Sequence, residues 1–210
     1  MAPMGAFAER LAEPGVVEQC SLAGTFGFMA YHGGELEKQT DVIATEAAAS
    51  SGASLYVVCH PADDHITSTL VRRADSELLD RFLDHVEVVV TVHGYGRENM
   101  FTSLLLGGTN RPLARALRLL LEPAMPDYEI IDDLDRIPPG LRGLHDDNPV
   151  NLPRSGGVQL ELPPRARGLG PRWAEWRGDG HVPPMTALID RLAALAREWS
   201  GGDGAARRAP

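Results

Sequence analysis

Residues 88–92 read Val-Val-Val-Thr-Val, five β-branched side chains in succession. Such a run prefers extended backbone. With no polar alternation, it suits a strand covered on both faces rather than one with a wet side. That segment excludes an all-helical fold and calls for helices on either side of a sheet. The rest of the chain supplies them. Strands are predicted over 25–31, 55–59, 103–106, 128–131 and 158–162. Helices are predicted over 40–51, with Thr40 as N-cap, and over 75–86, where Leu78, Leu79, Phe82, Leu83 and Val86 make one stripe. Two more are predicted over 112–121, with Pro112 in the first turn, and over 185–199, where Leu188, Leu192, Leu195 and Trp199 recur at helical spacing.

Strands alternating with helices predict an α/β fold with an open, mixed, mainly parallel sheet and helices on both faces. A length of 210 residues fits a single domain, expected over 1–200. Residues 1–15 read as a lead-in or edge helix. Pro/Gly-rich 138–157 and 163–184 read as loops, and 201–210 as a disordered tail.

Charge narrows the partners. A net charge of −9 disfavours nucleic acid, whose phosphates need a basic face. No apolar run approaches the ~20 residues that span a bilayer. Residues 1–15 lack the basic and apolar regions of a secretion signal, so a cytoplasmic protein is expected. Cys20 and Cys59 lack metal-site spacing and read as small core residues.

In parallel α/β sheets, chemistry collects at the carboxyl ends of the strands. His32 follows the predicted strand 25–31, and His93 follows 88–92. Each is succeeded by glycine, which allows a sharp turn and a close approach. Parallel strands end on one edge, so the two imidazoles can converge. Glu35 or Glu37, in the His32 loop, would complete a two-His, one-carboxylate set of the kind that holds catalytic zinc with one position open. Manganese or iron would also accept these donors. Spacing alone does not choose between the two glutamates.

In 158–162, Val158, Leu160 and Leu162 alternate with Gln159 and Glu161. A carboxylate buried there costs several kcal/mol unless paired. Glu161 is therefore either a general base beside the metal or part of a solvated edge face. His65, in Asp64-His65-Ile66-Thr67-Ser68-Thr69, is either a substrate-site residue or part of a turn held by local hydroxyl bonds. His60 reads as structural; His85, His145 and His181 read as solvated. For a substrate carboxylate, Arg154 and Arg165 flank the Glu161 strand and offer bidentate forks. Arg72, Arg73 and Arg97 are weaker candidates.

These motifs resemble the poly-γ-glutamate hydrolase family. His32-Gly33-Gly34-Glu35-Leu36-Glu37 with Thr40 is similar to its HGGxIExGT element. His65-Ile66-Thr67-Ser68-Thr69 resembles HITS, and Thr91-Val92-His93-Gly94 resembles SIHG. Gly107-Gly108-Thr109-Asn110 and Asn148-Pro149-Val150-Asn151-Leu152 follow in the family's order. Gly156-Gly157-Val158-Gln159-Leu160-Glu161-Leu162 resembles GGVQLEL, and Arg165 follows it. Gln39 stands where the family has glycine, residues 98–102 depart from the pattern, and nothing after Arg165 matches.

The resemblance implies a fold similar to zinc carboxypeptidases. It also implies zinc held by His32, Glu37 and His93, which selects Glu37 over Glu35. Glu161 would be the general base. His65, Asn151, Arg154 and Arg165 are the residues expected to contact the substrate. The activity implied is cleavage of γ-glutamyl amide bonds in a polymer or a short peptide. The family includes phage members, released by lysis. An acyl-amino-acid amidase or aminoacyl esterase on the same scaffold is a second reading. A non-enzymatic module that binds small anions is a third.

Overall fold

The computed structural model describes residues 5–63 and 65–199; the expected tail, 201–210, lies outside them. Among the described residues, seven strands form one sheet in the order β1-β3-β2-β4-β7-β5-β6. They are β1 (Val17–Ser21), β2 (Phe26–Gly34), β3 (Ser54–His60), β4 (Val88–Gly94), β5 (Ser103–Leu106), β6 (Glu129–Ile131) and β7 (Gly157–Leu162). The helices are α1 (Ala6–Leu11), α2 (Thr40–Ser51), α3 (Glu77–His85), α4 (Arg111–Ala124) and α5 (Pro183–Glu198). β3, β2, β4 and β7 are mutually parallel. β1 joins one edge antiparallel, and β5 turns antiparallel to β7 with β6 parallel beyond it. The fold is the expected mixed, mainly parallel α/β sheet.

The run at 88–92 lies in the middle of the sheet and is sealed on both faces. Val90 and Val92 join Phe28, Ala30, Val158, Leu160 and Leu162 against α2, α4 and α5. Val89 joins Met29, Tyr31, Tyr56 and Val58 against Phe7 of α1 and Leu79, Phe82 and Leu83 of α3. Each fully buried side chain of this size contributes roughly 1.5–3 kcal/mol by leaving water.

Local chemistry sets the helix starts. Ser76 caps α3 by accepting the Leu79 amide at 3.0 Å, and Asn110 caps α4 by accepting that of Leu113 at 3.0 Å. Thr40 is not the cap of α2. Gln39 holds that position at φ 75°, in the left-handed region, without a side-chain cap bond. Thr40 is the first helical residue, and its hydroxyl donates to the Glu37 carbonyl at 2.7 Å.

Three readings are corrected by pairing. β1 was not predicted, because its Val-Glu-Gln-Cys-Ser stretch is half-exposed, as an edge strand is. His32 and His93 lie inside strands rather than after them. β2 pairs with β3 as far as Gly34, and β4 with β7 as far as Gly94. Cys20 and Cys59 are half-buried, not core. The Cys59 thiol donates to Asp41 at 3.4 Å, and burial with that carboxylate pushes its pKa up to about 12.

The β2–β3 register shifts between Ala30 and Gly33. Tyr31 and His32, consecutive in β2, both bring their rings to 5.0 Å from the His93 ring.

Candidate active site

Parallel pairing of β2, β4 and β7 brings His32, His93 and Glu161 to one edge of the sheet. Glu161 is the ladder partner of His93, so the two lie side by side on one face. The turn after β2 returns Glu37 to them, closed by its amide on the His32 carbonyl at 2.8 Å. The ligand atoms of His32, Glu37 and His93 all lie within 4.8 Å of one another. Glu37 Oε1 is 3.0 Å from His32 Nδ1, and Oε2 is 3.1 Å from His93 Nδ1. Oε2 also accepts the Gly94 amide at 2.8 Å. Glu35, the alternative, is exposed and pairs with Lys38.

A buried chain of hydrogen bonds continues from His93. The Asn148 amide is oriented by its neighbours. Its Oδ1 accepts the Val150 N–H at 3.2 Å, so its Nδ2 is the donor to Gln159 Oε1 at 2.8 Å. Gln159 Nε2 then donates to Glu161 Oε1 at 2.8 Å. The Tyr31 hydroxyl donates to Asn148 Oδ1 at 3.3 Å, which spends its one proton. With the Tyr31 proton directed to Asn148, the phenol oxygen accepts from His93 Nε2 at 3.0 Å, which places the imidazole proton on Nε2 and turns Nδ1 to the Glu37 carboxylate. Two lone pairs at 3.1 Å repel unless a proton or a cation lies between them. The donor set of two imidazoles and one carboxylate is the kind that takes zinc, so the residues fit a metal. His32 Nε2 is buried with no partner among the described residues.

Electrostatics follow burial. Burial lowers the His32 pKa to about 4, overriding Glu37, so the ring is neutral and ligand-ready. Burial alone would raise the Glu37 carboxyl, but the His93 and His32 rings hold it well below the usual carboxylate range. Burial opposes charge on His93 as well, yet Glu37 and Glu161 together raise its pKa. Glu161 is pushed up to about 7, chiefly by burial, with His93 pulling it down and Glu37 pushing it up. A carboxylate poised there can take and return a proton near neutrality.

Arg167 was missed from the sequence. It sits in the 3-10 turn Pro164–Arg167 after β7 and is 6% exposed. It donates to the carbonyls of Leu162 at 3.2 Å and Lys38 at 2.8 Å. Burial lowers its pKa, and Glu37 and Glu161 raise it. A Cβ on Gly94 would meet its guanidinium, so the glycine after His93 makes room for this cation. Arg167 offsets the two buried carboxylates and ties the Glu37 turn to the end of β7.

The cleft over this cluster has a volume of about 490 Å³. One rim carries Asp63, His65 and Thr67 to Thr69, the other Pro139 to Leu141 and Gly143 to His145. His65 is at this rim, its ring 5.1 Å from that of His32. Asn151 does not line the cleft. Its Oδ1 accepts from Thr109, and its Nδ2 donates to the Gly143 and His145 carbonyls at 2.8 and 2.9 Å, so it pins the second rim. Arg154 is far from the cleft chemistry. It precedes β7, at the strand's amino end, where it is exposed and pairs with Glu87. Arg165 lines a different cavity, because its 3-10 turn points Arg167 one way and Arg165 another. His60 is structural, with Nε2 3.0 Å from the Tyr31 carbonyl.

A family model described as poly-gamma-glutamate hydrolase matches residues 8–169. The chain belongs to the poly-gamma-glutamate hydrolase family. Among solved structures it is similar to a bacteriophage poly-gamma-glutamate hydrolase, with 21% identity and a TM-score of 0.70, covering 90% of this chain and 93% of that one. It is also similar to a zinc-free apo form of a protein named YNDL, with 21% identity and a TM-score of 0.69, covering 87% and 90%. A gene product of Agrobacterium tumefaciens shares 12% identity at a TM-score of 0.53, covering 86% and 91%. No curated protein sequence matches. At these identities the structural likenesses establish the fold. Family membership establishes a hydrolase of γ-glutamyl substrates, with a His/Glu/His cluster suited to a metal. No helix among the described residues is long and apolar enough to cross a membrane.

Proposed function

We propose that this member of the poly-gamma-glutamate hydrolase family cleaves γ-glutamyl amide bonds with zinc held by His32, Glu37 and His93 and with Glu161 as the general base. The observation that carries the reading is the pairing of His93 with Glu161 across β4 and β7. It sets a carboxylate with a pKa of about 7 beside a donor cluster that fits a metal. The metal would supply Lewis acidity, polarising the scissile carbonyl and lowering the pKa of water to near ~7.

The chain's own residues do the rest. Glu161 takes a proton from the attacking water as its oxygen bonds to the carbonyl carbon. When the C–N bond breaks, the same carboxyl returns that proton to the leaving nitrogen. Gln159 holds Glu161 Oε1, which leaves the other oxygen for this exchange. Tyr31 fixes the His93 tautomer. His65 at the rim, with the hydroxyls of Thr67, Ser68 and Thr69, offers donors to a substrate carboxylate. The cleft volume suits a short γ-glutamyl segment.

The test is incubation of purified protein with long poly-γ-glutamate, with poly-α-glutamate as control, followed by chain length and released amine. The expected result is shortening of the γ-linked polymer only, stopped by chelator and restored by zinc. Absence of cleavage of the polymer and of γ-glutamyl oligomers, with zinc present, overturns the reading.

A further inference from the structure

A second cavity, of about 550 Å³, lies on the other side of the 3-10 turn Pro164–Arg167 from the catalytic cluster. Its walls are the end of α4, the Pro126 to Tyr128 segment, Arg165, Arg172, Trp173 and the start of α5. Three donors, the guanidinium groups of Arg165 and Arg172 and the Tyr128 hydroxyl, line it beside one carboxylate, Asp127. Among the described residues, none of the three has a hydrogen-bond or ion-pair partner. Arg72, Arg81, Arg97, Arg115 and Arg191 also reach no carboxylate among the described residues, whereas Arg165 and Arg172 face one cavity together. Arg73, Arg118, Arg136 and Arg154 each reach a carboxylate.

The three donors share one space. Burial pushes the Tyr128 hydroxyl up to about 12, while Arg165 and Arg172 pull it down and Asp127 pushes it up. The aromatic wall is fixed. The Trp173 indole N–H donates to the Arg165 carbonyl at 2.8 Å, and Arg172 stacks over the Trp173 ring at 5.4 Å. Met125, Pro183 and Pro184 make an apolar side. A carboxylate on a short aliphatic stem matches this lining, because guanidinium forks bind it bidentately and the stem covers the apolar wall.

The geometry points to a second binding site here for a carboxylate-bearing unit of the substrate polymer, outside the catalytic cleft. This rests on the γ-glutamyl reading above. A γ-linked glutamate chain carries one free carboxylate per residue. Arg165 and Arg167 lie two residues apart in one 3-10 turn, the first lining this cavity and the second acting on Glu37 and Glu161. A neighbouring groove that shares Pro126, Asp127 and Tyr128 bears Glu122, Glu129, Asp132 and Asp133 against Arg118 and Arg136, and this excess of acid disfavours a polyanion there. Linking two weak contacts on one chain raises the affinity for long substrates without altering the chemistry.

The test is the double variant Arg165→Gln and Arg172→Gln in the full chain, with its melting temperature as a check on folding. The expected result is a KM for long poly-γ-glutamate raised about tenfold, with kcat and KM for a γ-glutamyl dipeptide within about twofold of the unsubstituted protein. An unchanged polymer KM overturns the proposal, as does an equal loss on both substrates. Direct binding separates this proposal from the catalytic one. Titration of tryptophan fluorescence with long poly-γ-glutamate should give saturable quenching that the double variant loses, whether or not the polymer is cut. Absence of quenching in the unsubstituted protein overturns the site. Displacement by inorganic phosphate at equal charge overturns its assignment to carboxylates.

Discussion

β4 and β7 lie side by side along their length, and their two ends carry similar residue types with opposite consequences. At the amino ends, Glu87 and Arg154 form an ion pair in solvent, and the backbone closes with the Ser155 amide on the Glu87 carbonyl at 2.9 Å. At the carboxyl ends, His93 and Glu161 are 3% and 4% exposed, and Arg167 stands behind them. Water screens the first set to almost nothing. Without water, each group in the second set shifts its neighbours' proton affinities and needs a named partner. Burial, rather than the residues themselves, makes one end a surface and the other a candidate catalyst.

The comparison breaks first at the metal. His93→Ala should remove bound zinc, measured by elemental analysis, and bring hydrolysis down to that of chelator-treated protein. Zinc retained at one per chain would mean that the cluster is not the site. Glu161→Gln should keep the metal while kcat falls by roughly 10²–10⁴-fold. An unimpaired kcat would remove Glu161 from the proton path. Tyr31→Phe leaves His93 Nε2 without its acceptor and should weaken zinc affinity by roughly 10–100-fold, read by competition with a chelator, with the fold retained.

pH sharpens the contrast. Glu161 works as its carboxylate, so kcat/KM should fall about tenfold per pH unit below the pKa of that carboxyl in the metal-loaded protein, and Glu161→Gln should abolish that limb. A folded carboxyl raised above its ordinary value binds its proton more tightly than the unfolded chain does. In chelator-treated protein, stability should therefore decline as pH rises from about 4.5 to about 7, and Glu161→Gln should flatten that decline in melting curves. The smallest effect belongs to the other end of the strands. Arg154→Ala should change stability by less than about 0.5 kcal/mol and leave kcat/KM unaltered. A large kinetic loss there would restore Arg154 to the substrate path.

The sealed strands and the amphipathic helices were legible because a two-sided core leaves a continuous apolar run and a helix leaves a stripe. β1 was not, since an edge strand with residues such as Glu18 and Gln19 buries too little to leave a pattern. His32, His93 and Glu161 were legible as chemistry at strand ends, the family's motifs chose Glu37 over Glu35, and the sheet and the turn after β2 bring the four together. Flanking position misled for Arg154 and Arg165, because proximity in sequence does not say which end of a strand, or which side of a turn, a side chain takes. Tyr31 was not singled out, because a tyrosine in an apolar strand gives no hint of where its hydroxyl points. Arg167 was not singled out, because nothing local shows that Gly94 has cleared a space for it.

The register shift in β2 bears on engineering. A regular strand sends adjacent side chains to opposite faces, yet Tyr31 and His32 converge on His93. Copying His32, Glu37 and His93 onto an unbroken parallel sheet would therefore graft the candidate ligands while losing the hydroxyl that lies against the Nε2 of one of them. A transplant that works must carry the irregularity along with the residues, so the smallest portable unit of this centre is a piece of backbone.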